Sequence, residues 1–256
     1  MGGETEPEAR DMVGKALGLL DLLAGHPDGA GVSQLARAAG YPVTTTHRLL
    51  ASLQRAGYVR SEDGRYALGL RLFELGQRVS HARGFSGVAL PVMQRVTAAT
   101  REPTLMSVLD GVHQLYVHYV EGPQQVQITG TPGHLGPVHC TSMGKCLVAF
   151  QPGDVRRRLV AEAELTPFTP HTISDRDAFA EEVERIRERG WALADEEHEE
   201  GIRAVGVPVL GPDGHAVAAL STAAPAYRTD LDTLRGFLPA LRDAAAELAA
   251  LLPARR

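Results

Sequence analysis

"YPVTTTHRLLASLQRAGYVR", Tyr41 to Arg60, sets three consecutive threonines, a histidine and an arginine ahead of a leucine-rich pattern. Thr46, Leu49, Leu50 and Leu53 fall at i, i+3, i+4 and i+7, the spacing of a helix that packs on a core by one face. Thr44, Thr45, His47, Arg48 and Ser52 then point elsewhere. Pro42 suits the first helical turn, where its missing N–H costs nothing, and Gly57 ends the pattern, so the helix is expected from Pro42 to about Ala56. β-Branched threonine is a mediocre helix former, and three in a row gain nothing over alanine or leucine. Hydroxyls at a helix N-terminus followed by an arginine suit phosphates and base edges. A solvated polar first turn would leave the same pattern, so the flanks decide between the two.

Upstream, "SQLARAAG" (Ser33 to Gly40) reads as a short helix with Ser33 as N-cap and Gly40 as its end. "KALGLLDLLAG" before it supplies a third helix. After the threonine helix, "YVRSEDGRYALG" gives two short strands around Asp63-Gly64. Three helices and a hairpin make a winged helix-turn-helix, with the second helix of the pair as reader. The DNA-facing set expected from this arrangement is Ser33, Val43, Thr44, Thr45, His47 and Arg48, with Arg60 and Arg65 on the wing against phosphates.

The chain has 256 residues, 44% hydrophobic and 22% charged, enough for two modest domains of ordinary globular composition. No apolar run reaches the length of a membrane span, and "MGGETEPEARD" lacks the basic and apolar regions of a signal peptide, so a cytoplasmic protein with no membrane partner is expected. The formal net charge of −5 conceals an asymmetry. Residues 12 to 84 hold nine basic against five acidic side chains, +4, and the remainder of the chain carries −9.

"LRLFELGQRVSHARG" has helical spacing and predicts a linking helix from about Leu70 to Ala82. Beyond it the pattern predicts a helix over about 88–100, strands at "TLMSVLDG", "HQLYVHYVEG" and "QVQITG", and helices near 142–150, 154–161 and from Ser174. Strands at "GWALAD" and "AVGVPVLGPDGHAVAALSTAA" follow, and then one alanine/leucine helix from about Asp230. Without regular βαβ alternation, the expected class is α+β, an antiparallel sheet flanked by helices. The expected domains are 12–69, a linker over 70–84, and 85–256.

This order of elements resembles the IclR family of bacterial transcription regulators over about Met12 to Leu252. The resemblance rests on "VSQLARAAGYPVTTTHRLLASLQRAGYV", "GRYALGLRLFELG", "VHCTSMGKCLVA", and "DEEHEEGIRAVGVPV" followed by "AALSTAAP". It implies an N-terminal winged helix-turn-helix on double-stranded operator DNA, a linker helix used in dimerisation, and a C-terminal GAF-like domain for a small-molecule effector. It also implies a homodimer or dimer of dimers. By the same resemblance the effector site would comprise Ile128, His139, Cys140, Thr141, Ser142, Met143, Asp195, Ile202, Ala204 and Ser221. The chain departs from the family pattern in three places. Val43 and Thr44 stand where lysine and serine are usual, Ala204 where many members have cysteine, and "STAA" (Ser221 to Ala224) where "SISG" is usual. Fewer hydrogen-bonding groups in the pocket suggest a larger or more apolar ligand than a small keto acid, within the class of small organic acids or aromatic effectors.

The residues alone support part of this. "HCTSMGK" reads as a loop entering a helix whose first N–H groups are free, a site for a carboxylate. Lys145 could add charge there or be a solvated helix lysine, and Asp195 could orient a ligand hydroxyl or cap a turn. "DEEHEE" reads as a solvated face, without a metal role for Glu196, Glu197 and His198. The alternative to a regulator is a thiol-based redox sensor or enzyme using Cys140 beside His139. Adjacent strand residues point to opposite faces, and no P-loop, dinucleotide fingerprint or nucleophile elbow is present. No catalytic residue, cofactor or metal ligand set is therefore expected.

Overall fold

The computed structural model describes residues 12–82, 87–124 and 130–252. The "QVQITG" run and Ile128 lie largely or wholly outside these residues. The chain divides into two compact units, one ending at Ser80 and one starting at His81.

The first unit comprises α1 (Met12–Ala24), β1 (Ala30–Gly31), α2 (Val32–Ala39), α3 (Val43–Arg55), β2 (Val59–Glu62) and β3 (Arg65–Leu68). Leu19, Leu23, Leu35, Leu49, Leu50 and Val59 form its core, so the leucine stripe of α3 faces inward as its spacing requires. Thr46 is the fully buried threonine of the three, and its hydroxyl donates to the Pro42 carbonyl at 3.1 Å. Gly40 takes the left-handed conformation at φ 68°, letting the chain turn between the two helices. Asp63 and Gly64 have φ of 49° and 75°, both positive as a two-residue hairpin turn demands.

Two helix starts differ from expectation. Gly31, not Ser33, is the N-cap of α2, because Ala30 and Gly31 pair with Tyr66 and Arg65 and fix the helix entry there. That third strand, β1, lies beside β3 in the order β1-β3-β2. Pro42 is extended and caps α3 from outside the helix. α4 (Leu70–Ala82) follows with no buried residue, leaving Leu70, Phe73 and Val79 exposed.

The second unit comprises α5 (Ala89–Thr100), β4 (Thr104–Asp110), β5 (His113–Val120), β6 (Leu135–Gly136), α6 (Ser142–Ala149), α7 (Gly153–Glu162), α8 (Arg176–Arg189), β7 (Ala192–Asp195), β8 (Ile202–Leu210), β9 (Ala216–Pro225), α9 (Leu231–Gly236) and α10 (Leu238–Leu251). Its strands form one antiparallel sheet in the order β6-β5-β4-β9-β8-β7. Strand alternation feeds a core on each face. Met106, Val207 and Leu220 pack under α5 and α10, while Leu105, Ala219 and Ala223 pack under α6 and α8. The architecture is α+β: a winged helix-turn-helix, then a GAF-like antiparallel sheet between helical layers. The C-terminal helix expected from Asp230 is two helices, for the chain breaks at Phe237 and Pro239 opens the first turn of α10. Asp175, and not Ser174, caps α8 through the Ala178 N–H at 2.8 Å.

Candidate functional site

On the first unit, Val43, Thr44, His47 and Arg48 are exposed and Thr45 half-buried on the side of α3 away from the core. The first turn of α3 holds no acidic residue. Ser33 is exposed near the start of α2. The three arginines expected on this surface differ in what they already hold. Arg60 pairs with Glu62 at 3.1 Å, both exposed. Arg65 donates to the carbonyls of Asp28 at 3.1 Å and Gly29 at 2.5 Å, tying the wing to the chain ahead of β1. Arg48 has no ion-pair or hydrogen-bond partner among the described residues. The Arg65 guanidinium is exposed and also holds the wing to the chain ahead of β1.

On the second unit, α6 determines the site. Thr141 is its N-cap, and its hydroxyl is saturated: it accepts from the Gly144 N–H at 3.1 Å and from Gln114 Nε2 at 2.8 Å and donates to the Pro137 carbonyl at 3.0 Å. A Cβ at Gly144 would come within 2.5 Å of Val138 Cα, and one at Gly206 within 3.0 Å of the Ser142 carbonyl carbon, so glycine at both positions lets the start of α6 lie on the loop and on β8. The N–H groups of Ser142 and Met143 are left without an acceptor among the described residues.

Thr141, Ser142 and Met143 at the start of α6 line a cavity of about 110 Å³. Apolar side chains from four strands and α6 form most of its wall: Leu105, Met143, Ala194, Ile202, Ala204 and Ala223. Its polar lining is Tyr116, Thr141, Ser142 and Ser221, with His198 and Glu199 at the β7–β8 loop. The Ser142 and Ser221 hydroxyls lie 2.8 Å apart. One donates to the other, which leaves one hydroxyl hydrogen of the pair for a ligand. Tyr116 Oη accepts from Gln114 Nε2 at 3.2 Å, which leaves its own hydrogen free to donate. Burial pushes the Tyr116 hydroxyl up to about 12, so that hydrogen stays in place at neutral pH.

Of the residues singled out in the sequence, Cys140, Thr141, Ser142, Met143, Ile202, Ala204 and Ser221 line this cavity together. His139 does not. It is buried, its Nε2 bonds the Thr166 carbonyl at 3.1 Å, and burial holds it below its ordinary pKa, so it is a neutral side chain facing Phe168 and Phe179. Asp195 does not either: it is absent from the cavity wall, and Arg203 on the neighbouring strand donates to it at 2.6 Å.

The sequence reading of Lys145 and "DEEHEE" is corrected as well. Lys145 is buried, with Nζ 2.6 and 2.8 Å from the two carboxylate oxygens of Glu197. Burial pushes the Glu197 carboxyl up while the adjacent ammonium pulls it back. Thr169 and Thr172 hydroxyls donate to the carbonyls of Glu196 at 2.7 Å and Glu197 at 2.6 Å. The loop bearing His198 and Glu199 is thus pinned at its base, and Lys145 lends no free charge to the cavity. Leu105, Tyr116, Ala194 and Ala223 were also missed; the two-residue alternation of β8 and β9 from Ala204 and Ser221 would have reached Ala223.

Thiol chemistry at Cys140 finds no support in its surroundings. Cys140 and Cys146 are both fully buried, and burial pushes both thiols up to about 12, with Glu197 adding to the effect at Cys140. Such thiols are neutral and poor nucleophiles.

Two family models match the chain: the IclR helix-turn-helix domain over residues 12–63 and the bacterial transcriptional regulator IclR C-terminal domain over 77–250. The chain is 31% identical over 242 residues to the HTH-type transcriptional regulator XynR of Escherichia coli, covering 94% of this chain and 96% of that one. It is 32% identical over 246 residues to the glycerol operon regulatory protein of Streptomyces griseus, with 94% and 96% covered. Among solved structures, a transcriptional regulator from Rhodococcus sp. RHA1 superposes with a TM-score of 0.82 at 28% identity, covering 94% of this chain and 97% of that one. An IclR homologue from Microbacterium hydrocarbonoxydans complexed with 4-hydroxybenzoate gives 0.81 at 27% identity, with 94% and 98% covered. The chain belongs to the IclR family of bacterial transcriptional regulators, with a DNA-binding helix-turn-helix and a C-terminal effector-binding domain.

Proposed function

We propose that this regulator responds to a small monocarboxylate with an aromatic or branched apolar body, held in the cavity at the start of α6. The observation that carries this reading is that the start of α6, Thr141 to Met143 with the Ser142 and Met143 N–H groups unpaired, lines a cavity of about 110 Å³ whose wall is mostly apolar. A carboxylate would accept from these N–H groups, which sit at the positive end of the helix, and from the free hydroxyl hydrogen of the Ser142–Ser221 pair. Leu105, Ile202, Ala204 and Ala223 would enclose the body, and Tyr116 would donate to a polar group on it. A related structure holds 4-hydroxybenzoate, an acid of this shape. With Lys145 neutralised by Glu197 and Glu199 at the rim, a second carboxylate on the ligand would find no cation.

The DNA partner would meet α3 and the wing, in the cytoplasm. α4, whose exposed Leu70, Phe73 and Val79 have no cover in one chain, would join two copies into a homodimer or a dimer of dimers reading paired half-sites. The effector acts by binding the DNA-competent and incompetent arrangements unequally.

A thermal-shift screen tests the pocket. Benzoate, 4-hydroxybenzoate and branched aliphatic monocarboxylates are compared with their primary amides. A carboxylate at a hundred times its Kd should add about 2.7 kcal/mol to stability, and its amide much less. Equal shifts from acid and amide, or none from any acid, would overturn the carboxylate reading.

A further inference from the structure

Val43 is 49% exposed at the first position of α3. Its methyl groups belong to no core cluster, and it stands on the outward side of the helix with Thr44, His47 and Arg48. Residues four apart on a helix are neighbours, so Val43 adjoins His47 and Thr44 adjoins Arg48. An exposed β-branched apolar residue at a helix start gains nothing in helix propensity and forgoes an N-terminal hydrogen bond to phosphate. In the major groove the one apolar feature of a base edge is the thymine C5-methyl, and the preferred match for an unpaired arginine is the O6/N7 face of guanine. Arg48 is free to take that role, having no partner among the described residues, whereas Arg60 and Arg65 are engaged.

We infer that Val43 reads a thymine methyl in the operator and Arg48 a guanine. Val43 and Arg48 lie about 7.5 Å apart along the axis of one helix, so the two bases belong to the same half-site. This rests on α3 being the DNA-reading helix of the proposed function, and it adds which residue reads which base.

The experiment uses the full chain. High-affinity sites are selected from a random duplex pool, and each thymidine of the selected site is replaced in turn by deoxyuridine, which deletes only the methyl. One replacement per half-site should weaken binding roughly fourfold, the value of one buried methyl. Val43→Ala should bind the thymidine and deoxyuridine sites within twofold of each other, and Arg48→Ala should lose its preference at a guanine of the same half-site. Thr44→Ser, which keeps the hydroxyl and removes the methyl, should retain the sensitivity to deoxyuridine. The inference is overturned if no replacement weakens binding, if Val43→Ala keeps the full sensitivity, or if Thr44→Ser abolishes it. Failure to select any sequence would instead overturn the reading of α3 as the DNA-reading helix, and this inference with it.

Discussion

Lys145 and Glu197 face each other inside the second unit, with side chains 1% and 12% exposed and Nζ within 2.8 Å of both carboxylate oxygens. The ammonium comes from the first turns of α6 and the carboxylate from the loop that bears His198 and Glu199, so one buried ion pair joins the two sides of the cavity.

Breaking that pair strands a buried charge. Lys145→Met or Glu197→Leu alone should cost about 3–5 kcal/mol, while the double variant should recover most of that loss, because an apolar pair of similar volume needs no desolvation of charges. Chemical denaturation of the three variants measures this. Additive losses in the double variant would show that the two residues act independently.

The sequence carried some of this plainly and some not at all. The inward stripe of α3 is legible because helical period depends on nothing outside the helix, and the turn at Asp63-Gly64 because positive φ selects its own residues. Lys145 and Glu197 are 52 residues apart. Their pairing depends on how α6 lies against the β7–β8 loop, which no local pattern encodes, so a buried acid passed for part of a solvated run. The hold of Arg65 on the chain ahead of β1 was illegible for the same reason: its acceptors are backbone carbonyls 36 and 37 residues away, and any residue type supplies a carbonyl. The start of α6 lay between these cases. Its capping threonine and glycine are local signals, whereas Leu105 and Tyr116 join the cavity through the order of the sheet.

Arg48 and Arg65 should separate by function. Arg48→Ala should weaken operator binding by about 1–3 kcal/mol without changing stability. Arg65→Ala should lower the stability of the first unit by about 1 kcal/mol, since it releases the Asp28 and Gly29 carbonyls at the surface. Melting curves together with the salt dependence of DNA affinity distinguish them. A drop of a full unit in the salt slope for Arg65→Ala at unchanged stability would mark it as a phosphate contact alone.

Ser221→Ala should weaken the effector by about 0.5–1.5 kcal/mol through loss of the hydroxyl that positions Ser142. Met143→Trp should fill the cavity and abolish the response. Both should bind operator normally without ligand. If instead both melt early yet respond fully once corrected for the folded fraction, the ligand sits elsewhere.

Cys140 and Cys146 should resist a thiol reagent in the native protein at pH 8 and react fully after denaturation. Their folded pKa values, about 12, lie above the ordinary 9.0. The stability they contribute is therefore complete below about pH 9 and lost as the pH rises through about 12, because the unfolded chain releases protons that the folded chain holds. Denaturation midpoints followed from pH 8 upward should fall accordingly. Rapid stoichiometric reaction of either thiol in the native protein would contradict the burial.

Linkage between the two units is tested most directly by titrating labelled operator with the protein, by fluorescence anisotropy, with and without a saturating carboxylate whose binding has been measured separately. The operator affinity should change by about 5–150-fold, and operator DNA should change the carboxylate's affinity by the same factor. A carboxylate that demonstrably fills the cavity yet leaves operator affinity unchanged would contradict control of DNA binding from this site.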